Sequence, residues 1–352
     1  MHEILKDLVS SPPHPYALTG FGLVSLNSRI FSNSFPISPK ISSVPEDYGH
    51  HLHFIVHTVG DYDPNRDCGG CAVLWELYFS LVAHGFSAAN NSKSNVPSNT
   101  TVVVIYPEVI SGALEIGDIH VRWILAAVGI NVAKSITDSW NRDDLVFNYA
   151  TSTGNNIPVS NVLQVVDTPT DGDETDISDE DFYNRNRSGI AWMMRKGPKY
   201  HNEIVFIHDI PGYETTKFER GAVSSLRKVE YFVSYDPYTY WSWFAAMQGT
   251  VSIVYPLANV SKAEWALGTF VGSYLQDQNL TEIPGVAYGW EESEIEYARR
   301  TMHKLRPFLV NLRKWGAEVT VPRFTRDCFR FKQGERKFFE SALILEDVYS
   351  HL

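Results

Sequence analysis

The chain has 352 residues, 44% hydrophobic and 20% charged, with a net charge of −11, and this length exceeds what one core usually supports, so two domains are expected. The acidic balance excludes a general binder of phosphate backbones, which would carry a basic face, although local basic pairs can still hold one small anion. No run reaches the roughly 18 apolar residues of a membrane span, and the N-terminal MHEILKDLVSSPPHPYALTG lacks the basic-then-apolar order of a signal peptide.

Residues 1–48, rich in Ser and Pro (SSPPHP, FPISPKISSVPEDYG), read as an irregular leader. Order begins at HLHFIVHTVG (51–60), an apolar run ending in glycine. GCAVLWELYFSLVAHGF follows at helical spacing, with Gly85 as its C-cap. AANNSKSNVPSN reads as a loop, TTVVVIYPE (100–108) as a β-branched strand, and GDIHVRWILAAVGI as a further helix. Short runs KSITDSW, DLVFNYA and NVLQVVDTP lead to the acidic stretch DTPTDGDETDISDEDFYN (167–184), read as a solvated linker.

A second alternation starts at GIAWMMRKG (189–197). It continues with a helix at TTKFERGAVSSLRKV, strand EYFVSYD, helix PYTYWSWFAAMQG and strand TVSIVYP. A long amphipathic helix, 291–316, is expected to break near Pro307, where the ring removes a hydrogen bond. Strands alternating with helices in both halves predict an α/β protein with mostly parallel sheets. The expected organisation is a leader (1–48), an N-terminal domain (49–185), a C-terminal domain (186–330) and a terminal helix (331–352).

In open parallel sheets ligands sit beyond the carboxyl ends of the strands, so the loops after strands carry the candidates. In YDPYT, Asp236 is placed to cap the following helix and Pro237 suits its first position. Free amides of that first turn, with the Thr239 hydroxyl, would then hold an anion. Gly249 would turn the chain straight into the next strand. The plainer reading is a well-capped core helix with nothing bound. Arg195-Lys196-Gly197 closes the first strand of the second half; two cations could neutralise a diphosphate, with Gly197 allowing close backbone approach. Alone, that pair would be an ordinary basic surface patch.

In the first half, Gly69-Gly70 before a helix suggests a glycine turn that brings amides near a ligand. Cys68 and Cys71 form a C-x-x-C without a second such pair, so reduced thiols are expected rather than zinc or redox chemistry. With Cys328 they are the three cysteines of the chain, too few for a disulfide framework, and a reducing cytoplasmic location follows. Glu108, at the exit of strand 100–106, could be a general base or could bind a ligand hydroxyl.

Taken in order, Gly69-Gly70 with VLWEL, VVVIYPEVISG with HVRWIL, RKG, YDPYTYWSWFAAMQGTVSIVYP, SKAEW and GVAYG resemble a glycosyltransferase-like family of the two-Rossmann (GT-B) type, found among bacterial and viral surface-glycan proteins. The likeness spans roughly residues 52 to 300. It implies two Rossmann-like domains with parallel sheets facing a cleft. A nucleotide-diphosphate sugar would sit on the C-terminal domain and a glycan acceptor would face the N-terminal one. The donor would meet Arg195, Lys196, Gly197, Tyr235, Asp236, Tyr238 and Thr239. Asp61, Asp63 and Glu108 would be the candidate bases of an inverting reaction. No metal and no cofactor beyond the donor is implied. No nucleic-acid partner and no integral membrane segment is expected, while peripheral contact with a lipid-linked acceptor is compatible with the chemistry. Where the family has Asn-Pro after the YPE…G element, this chain has Ala113-Leu114; Trp75 and Thr250 stand where His and Cys are frequent. A non-catalytic nucleotide-sugar or glycan-binding protein and a sugar-nucleotide epimerase are the alternatives on the same scaffold.

Overall fold

The computed structural model describes residues 51–58, 69–91, 96–150, 161–166, 182–183, 186–209, 211–219 and 223–333. The leader, the loop carrying Asp61, Asp63 and Cys68, nearly all of the acidic stretch, and the terminal helix expected beyond 333 lie outside these residues. The chain folds as α/β, with two all-parallel sheets and helices packed on them.

The first sheet contains β1 (Leu52–Val56), β2 (Ser87–Asn90), β3 (Thr101–Pro107), β4 (Ile119–Ile124), β5 (Leu145–Asn148) and β6 (Asn161–Val162), in the order β2-β1-β3-β4-β5-β6. Helix α1 (Gly69–Ala83) crosses from β1 to β2 and buries Val73, Leu74, Leu77 and Leu81 against Phe54, Val103, Val121 and Phe147. Two sequence expectations are corrected here. IHVRWI, read as helix, is β4: Ile119, Val121 and Trp123 face the core while His120 and Arg122 face away, a period of two that suits a pleat. Residues 88–90, read as the start of a loop, belong with Ser87 to the edge strand β2, held by its ladder with β1.

The second sheet contains β7 (Ile190–Met193), β8 (Thr215–Lys217), β9 (Tyr231–Ser234), β10 (Val251–Val254) and β11 (Val286–Tyr288), in the order β11-β10-β9-β7-β8. Here too a helix expectation is corrected: 215–229 splits into β8 and a short helix α2 (Val223–Leu226). All three β8 side chains are exposed, so its pairing with β7, not burial, makes it a strand. Helix α3 (Trp241–Met247) precedes β10. Helices α4 (Lys262–Gly268) and α5 (Gly272–Asp277) precede β11. Ser261 and Glu264 form a reciprocal capping box at the start of α4.

After β11 come α6 (Glu292–Thr301), a 3-10 turn, α7 (Leu305–Trp315), a π-helical turn and α8 (Val321–Lys332). The break expected near Pro307 falls just before it, at Met302–Lys304, leaving Pro307 in the first turn of α7, where its missing N–H costs little. Helix α8 packs Val321, Phe324 and Cys328 into the core of the first sheet, although the chain reaches it only after completing the second. Thr320 seals this return: its hydroxyl donates to the Gln164 carbonyl at 2.6 Å and accepts from the Gln164 amide at 3.1 Å. Both sheets belong to one compact unit, residues 40–352. Among the described residues no helix is long and apolar enough to cross a membrane.

Gly85 and Gly249, read as helix stops, both have positive φ, 81° and 78°. At each, two amides fold back on the last-turn carbonyls. Gly85 and Phe86 donate to Val82 and Leu81, and Gly249 and Thr250 donate to Ala246 and Ala245. A Cβ at Gly249 would also lie 2.5 Å from the Phe182 carbonyl oxygen. Gly249→Ala is therefore expected to destabilise the fold by about 2–3 kcal/mol, from forced positive φ and steric overlap, measured as a lowered urea midpoint with unchanged slope.

Four imidazoles, His53, His57, His201 and His208, are buried, and burial lowers the pKa of each below the ordinary 6.5. Nearby Glu115, Asp209 and Asp236 and the Tyr235 carbonyl offset this only in part. The unfolded chain takes up these protons first, so stability is full above about 6.5 and is lost as pH falls below that value towards the folded pKa values. Thermal melts should show a midpoint that falls increasingly below pH 6.5, and His57→Gln should make that fall shallower.

Candidate functional site

Both sheets are wound alike. From its first strand the chain steps to one side (β1 to β2, β7 to β8) and then back across to the other (β3, β9). The crevice where the order reverses, beyond the carboxyl ends of β1/β3 and of β7/β9, is where such sheets bind ligands. Glu108 follows β3, Arg195-Lys196-Gly197 follow β7, and Tyr235-Asp236 follow β9, so the sequence candidates fall at these two crevices.

Asp236 is buried, and one of its carboxylate oxygens accepts from three consecutive amides: Arg195 at 3.0 Å, Lys196 at 2.6 Å and Gly197 at 2.6 Å. Its role as a helix cap is thereby corrected. The side chain is drawn across to the β7 exit, and α3 starts only at Trp241, with Tyr240 as an N-cap whose side chain does not cap the helix. Pro237 stays outside the helix, its carbonyl held at 2.8 Å by the Trp265 indole N–H. Thr239 serves the entry instead, its hydroxyl accepting from the Trp241 amide at 3.4 Å. A seven-residue helix begun this way offers no anion site at its end. Nor are the amides of 195–197 open to an anion, since Asp236 takes them.

The side chains of that loop remain. Arg195 and Lys199 are exposed and Lys196 is half-buried. Burial lowers the Lys196 pKa, and the carboxylates of Asp236 and Glu108 partly restore it. The Lys199 ammonium donates to the Ile130 carbonyl, in the loop after β4. Tyr200 and Tyr238 meet edge to face, ring centres 5.4 Å apart, beside these cations. Burial pushes the Tyr200 phenol up to about 12, with Tyr238 and Asp236 adding to it, and the Tyr238 phenol also rises through burial.

On the first sheet Glu108 is 2% exposed. Its oxygens accept from the Leu125 amide at 3.1 Å and the Asn131 side-chain amide at 3.2 Å, which ties the ends of β3 and β4 together. Burial raises its pKa; those two bonds and the Lys196 charge pull the other way. The Glu108–Lys196 attraction puts the exits of β3 and β7 within electrostatic reach of each other. Gly69 and Gly70 open α1, and a Cβ at Gly70 would touch Leu125, so the glycine turn stands beside the Glu108 cluster. The loop leading to Ala113-Leu114 is pinned by buried Arg122, which donates to the carbonyls of Ile110 (3.2 Å) and Gly112 (2.6 Å) and pairs with Asp144 at 2.7 Å. Ala113 and Leu114 sit exposed beyond it.

The structure thus brings Glu108, Lys196 and Asp236 together, with Arg195, Tyr238 and Thr239 on the same loops. Tyr235 is placed differently: fully buried, its hydroxyl is bonded to His208 Nδ1 at 2.7 Å and the Ile207 amide at 2.8 Å, so its ring offers no surface to a donor. Gly197 is also buried, and the close approach it allows is to the Tyr235 carbonyl, 2.8 Å from where a Cβ would stand. Asp61 and Asp63 lie outside the described residues. Cys71 is disulfide-bonded, against the expectation of a reduced thiol, while Cys328 is free and buried. Sequence reading passed over Lys199, Tyr200 and Asn131. KGPKY, continuing RKG with a Pro-marked turn, was the available signal for the first two; nothing local marks Asn131.

No protein-family model and no curated protein sequence matches this chain. The site therefore rests on its own geometry, and Asp236 is its testable centre. Asp236→Ala leaves three amides without their acceptor and is expected to cost about 3 kcal/mol. Asp236→Asn, which keeps one acceptor oxygen, is expected to cost less. Urea unfolding of both variants measures the difference.

Proposed function

We propose that this chain transfers a sugar from a nucleotide-diphosphate sugar to a hydroxyl of a glycan acceptor, at a crevice between the carboxyl edges of two Rossmann-like sheets of GT-B type. The supporting observation is the convergence of the two switch points. Cations after β7 and a buried carboxyl group after β3 lie within electrostatic reach, on sheets wound in the same order.

In this reading the diphosphate meets Arg195 and Lys196, with Lys199 beside them. As the nucleoside diphosphate departs, negative charge grows on it, and cations already fixed in place stabilise that charge without reorganising. Asp236 holds the backbone of Lys196, so the root of that side chain is fixed before the donor arrives. Tyr238 and Thr239 contact the donor from the β9 exit. Glu108 takes the acceptor proton or orients the acceptor hydroxyl; either role is sharpened by a carboxyl group whose pKa is raised by burial. The rate should then rise with pH through a value above the ordinary carboxylate range.

A non-catalytic binding protein on the same scaffold is the second reading. It is favoured by Glu108 itself, which is almost fully buried with both oxygens engaged.

A thermal-shift panel of UDP, GDP, TDP and CMP with their common sugar conjugates tests the proposal, run beside the Arg195→Ala/Lys196→Ala variant. A ligand of the native state raises the melting temperature by mass action. One diphosphate family is expected to raise it, with the shift abolished in the variant. No shift with any nucleotide at millimolar concentration would sink the transferase reading. A shift with donor turnover only when acceptor is present separates transfer from binding alone.

A further inference from the structure

A cavity of about 280 Å³ is lined by Tyr231, Trp290, Glu292, Ile295, Glu296 and Arg299. Tyr231 and Asp236 lie at opposite ends of β9, so this cavity is separate from the crevice discussed above. Its volume is near the lower end of small-molecule sites, roughly 300–1,000 Å³.

The lining narrows the ligand class. The Tyr231 and Trp290 rings stand 5.1 Å apart at 48°; Tyr231 is buried beneath Trp290, Tyr213 and Arg299, so half-buried Trp290 is the ring that offers an apolar face. Arg299 lies over the Tyr231 ring at 5.5 Å, and its Nη2 donates to the Tyr231 hydroxyl at 2.6 Å and to Glu230 at 2.5 Å. The cation slot of that ring is therefore already filled from within, which disfavours a cationic ligand. An anion would face Glu230, Glu292 and Glu296 against one arginine. A neutral ring bearing several hydroxyls avoids both penalties. Its C–H face packs on Trp290, its hydroxyls donate to the exposed carboxylates of Glu292 and Glu296, one turn apart on α6, and they accept from Arg299.

We propose that this cavity is a binding site for a neutral saccharide unit, distinct from the switch-point crevice and independent of whether that crevice transfers sugar.

Saturation-transfer NMR and calorimetry with cellotetraose, maltotetraose and diacetylchitobiose at millimolar concentration test it on the whole chain, with Glu296→Gln, Trp290→Ala and Lys196→Ala variants checked for native circular dichroism. At least one saccharide is expected to bind saturably at one site. Glu296→Gln, an exposed position that leaves folding intact, should weaken that binding about tenfold, the worth of one hydrogen bond to a charged group. Trp290→Ala should weaken it at least as much, and Lys196→Ala should leave it unchanged. No binding of any of the three saccharides to the folded chain overturns the proposal. So does binding that Glu296→Gln leaves intact, and so does binding that only Lys196→Ala removes, which would place the sugar at the other site.

Discussion

The carboxylate of Asp236 accepts from three successive amides of the loop after β7, and the carboxyl edge of the second sheet is organised by that contact. An ionised acceptor makes stronger bonds to amides than a neutral one, and here it stands in the crevice where two strand exits would otherwise be independent loops. The contact draws the β9 exit towards the β7 exit, so the chain cannot enter a helix at Pro237. It also fixes the backbone of Lys196, whose charge is felt by Glu108. Gly197 completes the join, because only a residue without Cβ lets the loop lie against the Tyr235 carbonyl.

The consequence for function is a division of labour between backbone and side chains. Amides after a strand are the usual cradle for phosphate, but here they are occupied by the protein's own carboxylate. Any anion held at this edge must be met by Arg195, Lys196 and Lys199 as charges. On the first sheet Glu108 is treated in the opposite way: it is enclosed, which raises its pKa, while its bonds from Leu125 and Asn131 pull the other way. Lys196 and Glu108 are close enough to influence each other's pKa, and the proposed chemistry rests on that pair.

The two sheets are joined by contacts far apart in sequence. Arg313 of α7 pairs with Glu76 of α1 at 2.8 Å, both largely buried, and Thr320 locks to Gln164 just before α8 enters the first core. A partly buried, bidentate-capable arginine pair contributes more than an exposed one, because solvent screens it less. Lys199 adds a link at the crevice itself, reaching the carbonyl of Ile130. The return of α8 to the first sheet means that the last helix described belongs, by packing, with the first strands of the chain.

Local patterns determined a good part of this protein. Apolar runs such as HFIV, TVVVIYP and TVSIV specify buried parallel strands, because both faces of such a strand are covered. Gly85 and Gly249 specify where helices stop, because the turn needs positive φ. The placement of Glu108, Arg195, Lys196 and Asp236 at strand exits was equally legible, since an exit follows wherever a strand ends. Three things were not local. IHVRWI, SAAN and TTK become strands through ladder partners that no short window contains. Asp236 could be seen as a cap, and nothing in YDPYT reveals that amides forty residues earlier compete for its oxygen. Tyr235 could be seen as a ligand contact, and only the packed sheet shows its hydroxyl turned inward to His208. Sequence by itself determined which residues stand at the edges of the sheets; tertiary structure decided which way each side chain turns, because that choice depends on donors and acceptors brought close only when the two edges fold together.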